Sequence, residues 1–174
     1  MPHTYKSRRA ITLAETVISM LLVGFVIVST LSIVGPIARS TTVHADRLIA
    51  ANLANELSEE IASKLWTSPI NDDIDFIGPG AGETRLTYDD IDDFHGWSSS
   101  PPKNSYNGPY STMKEWTRSV KVAHVLLEDP TIESKTYTGL KRVIVTVNKN
   151  GTDLASISTY HTQAADALSF VVGP

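Results

Sequence analysis

Hydrophobic positions are unevenly spread along the chain, and their pattern changes twice. From Thr16 to Ala38 there are 23 consecutive residues without a charge, TVISMLLVGFVIVSTLSIVGPIA. A helix of that length rises about 35 Å at 1.5 Å per residue, enough to cross a bilayer. After Arg39 the apolar residues thin into a stripe. Val43, Ala50, Leu53, Leu57, Ile61 and Leu65 recur three, four or seven residues apart, while Asp46, Arg47, Asn52, Asn55, Glu59, Glu60 and Lys64 take the other faces. The pattern therefore predicts one nearly continuous helix from Ile11 to Trp66, with a stop signalled by Thr67-Ser68-Pro69. Gly35 and Pro36 are expected to kink it, because proline lacks the backbone donor and clashes with the preceding turn.

The rest reads differently. Residues 69–117 are rich in Pro, Gly, Ser, Asn and Asp and predict loop, with a short strand at Thr84 to Tyr88. Beyond Trp116 the period becomes two. Val120 and Val122 flank Lys121, and in the run Leu140 to Asn148 the valines Val143, Val145 and Val147 share one face while Arg142, Ile144 and Thr146 share the other. Asn150-Gly151 is a strong hairpin signal, returning the chain through Leu154 to Tyr160. About three antiparallel strands packed on the outer half of the helix make an α+β domain. The expected division is residues 1–10, a membrane half of the helix at 11–38, an amphipathic half at 39–66, and a loop-and-sheet domain at 67–174.

Composition adds exclusions. A formal charge of −4 and a pI near 5.7 leave no basic stripe for phosphates, so no nucleic-acid partner is expected. There is no cysteine, which removes disulfides, thiolate metal sites and a cysteine nucleophile. Lys6, Arg8 and Arg9 precede the apolar run and only Arg39 follows it closely, so the positive-inside bias predicts a cytoplasmic N-terminus and an external soluble domain.

Glu15 stands at the start of the apolar run. A carboxylate at the bilayer centre costs about 2.5–3.5 kcal/mol, and less near an interface. An acid at a helix N-terminus gains about 0.3–1 kcal/mol from the dipole. Residue 15 alone is thus compatible with an ordinary interfacial acid.

Its surroundings add more. Residues 7–28, SRRAITLAETVISMLLVGFVIV, resemble the N-terminus of type IV pilins and of the pseudopilins of type II secretion systems. The resemblance implies a basic leader ending at Ala10, a mature chain beginning at Ile11, and Glu15 as its fifth residue. It further implies cleavage by a prepilin peptidase and N-methylation of Ile11. Ala10 stands where the family usually has Gly, and Ile11 where it usually has Phe. The stretch ANLANELSEEI resembles PilV-like or I-type minor pseudopilins. The family's helix-on-sheet fold agrees with the α+β expectation. Its function would be that of a minor pilin or pseudopilin, stored in the inner membrane and assembled into a periplasmic or surface filament. The implied partners are membrane lipid, the processing peptidase and methyltransferase, an inner-membrane assembly platform, and other subunits whose N-terminal amine would meet the Glu15 carboxylate. Two rivals are a bitopic anchor for a periplasmic binding domain that does not polymerise, and a secreted domain cut near Pro36-Ile37-Ala38.

Two acidic loops invite a metal test, Asn71, Asp72, Asp73 and Asp75 in one and Asp89, Asp90, Asp92 and Asp93 in the other. Oxygen-rich loops of this kind can hold Ca²⁺. An EF-hand is excluded, because Phe76 stands where its glycine is required and Gly82 where its glutamate is. Solvated carboxylates are the default, and no cofactor is expected; Asp89, Asp90, Asp92 and Asp93 are the calcium candidates. His3, His44, His95, His124 and His161 are scattered and form no catalytic motif, so no enzyme is expected. Trp97, Trp116, Tyr106 and Tyr110 could stack on a ligand, but aromatics that anchor loops onto a sheet are the plainer reading.

Overall fold

A computed structural model describes residues 12–68 and 74–164, with the side chains of 32–42 left outside that description. It contains one long helix, α1 (Leu13–Ala62), and five strands: β1 (Ser98–Ser99), β2 (Trp116–Val125), β3 (Glu133–Ser134), β4 (Leu140–Lys149) and β5 (Thr152–Thr162). The chain divides into two compact units, residues 1–45 and 46–174.

In the first unit, Leu13–Leu31 is long and apolar enough to cross a membrane, with a mean hydropathy of 2.0. Its large side chains, among them Met20, Leu21, Phe25 and Val28, are exposed all round the helix rather than gathered on one stripe. The hydroxyls in this stretch are satisfied by the helix itself. Thr16 Oγ1 donates to Leu13 O at 2.8 Å, Ser19 Oγ to Glu15 O at 2.7 Å, and Thr30 Oγ1 to Val26 O at 2.6 Å. Such back-bonding is what hydrocarbon requires of a polar group. Helical backbone runs through Gly35 and Pro36, but the expected kink falls in the stretch whose side chains lie outside the described residues.

In the second unit the helical stripe becomes a core. Ala50, Leu53, Ala54, Leu57 and Ile61 are buried against Trp116, Val120, Val122, Val143, Val145 and Val147. Val43 and Leu65, the expected ends of that stripe, are exposed to 46% and 38%. The sheet is antiparallel in the order β1-β2-β4-β5, with β3 on the far end of β2. Pairing Val120 with Val145 and Val122 with Val143 puts all four on the helix-facing side. Asn150 and Gly151, at φ 50° and 81°, close the β4–β5 hairpin in the left-handed conformation that Asn-Gly favours.

Two expectations are corrected. No strand forms at Thr84 to Tyr88; Thr87 N donates to Thr84 O at 2.8 Å and Thr84 N to Thr87 Oγ1 at 2.9 Å, so local turn bonds take the backbone groups that a strand would have offered to a neighbour. The helix also stops at Ala62 and not at Trp66. Leu65 leaves it to bridge the acidic loop, donating to Asp89 O at 3.2 Å and accepting from Ile91 N at 3.0 Å. The expected core strands are present, supplemented by two two-residue strands, β1 within the loop-rich stretch and β3 between β2 and β4.

Candidate functional site

Glu15 lies in the first turn of α1 and is exposed. Thr12 precedes the helix, and its Oγ1 and O accept from Glu15 N at 3.4 Å and 3.0 Å. Thr12 and Glu15 thus have the Thr-x-x-Glu spacing of a capping box, a signal missed in reading the sequence. Ala10 and Ile11 lie outside the described residues.

The most heavily charged region is the loop from Gly78 to Trp97, which is held to the end of α1. Arg85, only 8% exposed, bonds the Glu60 carboxylate at 2.6 Å, and its guanidinium lies 4.8 Å from the Phe94 ring and 5.2 Å from that of Trp97. Lys64 Nζ donates to Tyr88 O at 2.5 Å. These contacts fix the start of the sequence DDIDDF beneath the helix end.

There the backbone makes a short 3-10 turn, Asp92–Phe94, whose amides are taken by the preceding carboxylate. Asp90 Oδ1 accepts from Asp92 N at 2.6 Å and Asp93 N at 3.1 Å. Asp93 answers, its Oδ2 accepting from Asp89 N at 3.0 Å and Asp90 N at 3.3 Å. The two side chains therefore close the turn on each other. Burial raises the Asp90 carboxyl above the usual carboxylate range, against the pull of these amides. It raises Asp93 as well, a hydrogen bond with the Glu83 side chain adding to the effect and the amides of Asp90 and Asp89 opposing it.

Asp92 turns to the sheet. Its Oδ2 meets Lys141 Nζ at 2.5 Å, and both side chains are buried, at 6% and 1% exposure. Lys141 also donates to Trp66 O at 2.5 Å and lies 4.2 Å from the Trp66 ring. Burial pushes the Asp92 carboxyl up to about 6 despite that neighbouring ammonium.

The four acids proposed as calcium candidates thus separate. Asp89 and Asp93 come together with Glu83, which had not been singled out, so that one ligand atom from each lies within 4.8 Å of the others. Asp90 and Asp92 line an adjoining cavity of about 20 Å³ that Glu83 and Asp93 share. Glu83 is placed by a tight turn in which its own N donates to Gly80 O at 3.1 Å and its Oε2 accepts from Gly80 N at 2.7 Å. A Cβ at residue 80 would come within 3.1 Å of the Glu83 carboxyl carbon. In the other acidic loop, residues 71–73 lie outside the described residues, and Asp75 Oδ1 accepts from Tyr137 N at 2.5 Å.

A second buried cation, Arg118, donates to Leu53 O at 2.9 Å and to Lys103 O, with Glu56 at 3.8 Å. Tyr110 Oη donates to the same Glu56 at 3.0 Å, tying its loop to the helix. Trp116 is buried with Lys149 Nζ 5.0 Å from its ring, and Trp97 packs against Arg85 and Arg118, whereas Tyr106 is 86% exposed. The four aromatics do not form a common stacking face.

No protein-family model, curated protein or solved structure matches the chain.

Proposed function

We propose that this chain is a minor pilin or pseudopilin: a structural subunit processed at Ala10-Ile11 by a prepilin peptidase, methylated on Ile11, held in the inner membrane by its apolar helix, and assembled into a type IV pilus or secretion pseudopilus. The observation that carries the reading is the position of Glu15, five residues after a basic leader ending in a small residue and at the mouth of a membrane-length apolar run. Supporting it, α1 is apolar on every side over Leu13–Leu31 and one-sided over Ala50 to Ile61, where the stripe covers a sheet. Such a helix serves as a lipid anchor at one end and as the spine of a folded domain at the other.

In a filament the apolar half leaves lipid for a bundle of like helices, where packing replaces lipid contact. Glu15 then has a partner, the amine of a neighbouring Ile11. Two such charges 4 Å apart attract by about 1 kcal/mol in water and about 4 kcal/mol at an effective dielectric of 20, before desolvation. Glu15→Ala is expected to insert in the membrane normally and to co-assemble poorly; undiminished incorporation overturns the role. Mass spectrometry of the N-terminal peptide tests the processing. A methylated Ile11 supports it, an N-terminus at Met1 indicates a bitopic anchor, and one near Arg39 a secreted domain.

A further inference from the structure

We propose that Tyr106, at the tip of the loop before β2, seats in a groove of a second copy of this chain, so that two copies pair by reciprocal insertion. The loop is built for display. Its tip, Asn104 to Pro109, carries no charge and consists of Asn, Ser, Tyr, Gly and Pro. Tyrosine among small polar residues is the composition of binding loops, the ring giving contact area at little cost in rotamer freedom. Tyr106 itself is 86% exposed.

The backbone beneath the ring is held on every side. Asn104 Oδ1 accepts from Tyr106 N at 3.1 Å and from Gly108 N at 2.8 Å, while Asn104 N donates to Gly108 O at 2.9 Å and Asn107 N to Asn104 O at 3.0 Å. Asn107, at φ 62°, makes the reversal, and a Cβ on residue 108 would come within 3.2 Å of the Asn104 amide. Both stems are tied to the core. Tyr110 N donates to Pro102 O at 2.9 Å, Tyr110 Oη donates to Glu56, and the fully buried Arg118 donates to Lys103 O and Leu53 O. A loop held this way loses little freedom on binding, which is the condition under which one exposed ring gives affinity.

The same chain offers a groove of matching chemistry. Just after the loop, Ser111, Thr112, Lys114, Glu115 and Trp116 join Lys149 around an open groove of about 470 Å³, within the size range of pockets that take a small organic group. Lys149 Nζ is held by Asp46 at 2.7 Å and lies 5.0 Å from the Trp116 ring, with 26% of its side chain exposed. A tyrosine ring entering from outside meets that ammonium on its open side and leaves the cation between two rings, an attraction that strengthens as water is expelled. Lys114 and Glu115, both exposed, supply a donor and an acceptor for the phenol hydroxyl. Tyr106 does not occupy the groove of its own copy, since its loop presents it almost wholly to solvent. Loop and groove adjoin in sequence on one unit, so two copies that exchange rings touch twice, and the contact closes as a symmetric pair.

The test exploits the absence of cysteine from the chain. Full-length chains in detergent, one carrying Ser105→Cys and the other Thr112→Cys under a different tag, are mixed and oxidised with copper phenanthroline. A disulfide-linked heterodimer is expected, well above that formed when Ser105→Cys is mixed with the exposed Glu128→Cys, and adding Tyr106→Ala to the Ser105→Cys chain should reduce it about tenfold or more. Sedimentation of the unaltered chain should show a dimer whose Kd rises about tenfold or more with Tyr106→Ala, while Leu127→Ala, at another exposed apolar position, leaves it in place. An unaltered chain that stays monomeric overturns the pairing. So does a dimer that Tyr106→Ala leaves intact, which would put the contact elsewhere, and so does a Ser105–Thr112 link no stronger than the Glu128 control.

Discussion

Lys141→Met probes whether the buried Lys141–Asp92 pair holds the acidic loop to the sheet. The substitution keeps most of the side-chain volume and removes the charge, leaving Asp92 nearly enclosed at 4% exposure with its one close cation gone. Breaking such a pair from one side costs about 3–5 kcal/mol, because the remaining ion keeps its desolvation penalty and loses its compensation; an exposed pair would cost about 0–1 kcal/mol. The bond to Trp66 O and the contact with the Trp66 ring are lost in the same step, so their contributions lie within that range and are not added to it. A loss of this size is a large fraction of the 5–15 kcal/mol typical of a domain, yet leaves a measurable folded state. Urea unfolding of the full-length chain in detergent, read by Trp66, Trp97 and Trp116, reports on this unit because all three tryptophans lie within residues 46–174. With m of about 1–3 kcal/mol/M, the midpoint should fall by more than about 1 M. Adding Asp92→Asn to the variant should restore at least about 1.5 kcal/mol of the loss, since the stranded charge is removed. A single-variant loss below about 1 kcal/mol, or strict additivity in the double variant, would refute the pair as the tie between loop and sheet.

Leu57→Ala opens a cavity where the helix stripe meets the sheet, at a side chain with no exposure, and should cost about 2–5 kcal/mol in the same unfolding assay. His124 is buried, and burial first, then Lys141, lowers its pKa from the usual 6.5, while the Ile74 backbone and Asp75 act in the opposite sense. A group whose folded pKa is depressed is neutral in the native state and takes a proton on unfolding, so its contribution is present above 6.5 and is lost as pH falls below it, at up to about 1.4 kcal/mol per pH unit. Asp92, raised to about 6, titrates in the same interval with the opposite sign. The diagnostic is therefore the difference between His124→Leu and the unaltered chain from pH 7 to 5: the variant should lose less stability on acidification, and parallel curves would count against the burial of a neutral imidazole.

Much of this architecture was legible because one kind of force wrote it. The valine alternation in β4 and the three-four spacing along α1 are consequences of burying one face, and both survive in the fold as the helix-facing row and the buried stripe. The shift of the helix end from Trp66 to Ala62 has a different origin. No capping glycine follows Ala62, and the backbone groups beyond it find partners in Asp89 and Ile91, more than twenty residues away. Local propensity carries no record of such a bond.

The charged interior was harder to read, although its signal was present as parity. Arg118 and His124 occupy even positions with Val120 and Val122, and Lys141 is in phase with Val143, so strict alternation assigns all three to the core-facing row. Polarity argued against that placement and alternation argued for it; alternation prevailed, and the two cations find partners inside, Arg118 at Leu53 O and Lys141 at Asp92. The acidic loop follows from the same logic. A buried lysine at the start of β4 requires an anion, Asp92 supplies it, and the short 3-10 turn beside the buried Ile91 brings Asp90 and Asp93 to buried positions next to it. Once Asp93 is inward and near Glu83, the local excess of carboxylates is a product of the fold's need to anchor one loop. The sequence DDIDDF is therefore better understood as an anchored turn than as a solvated acidic surface.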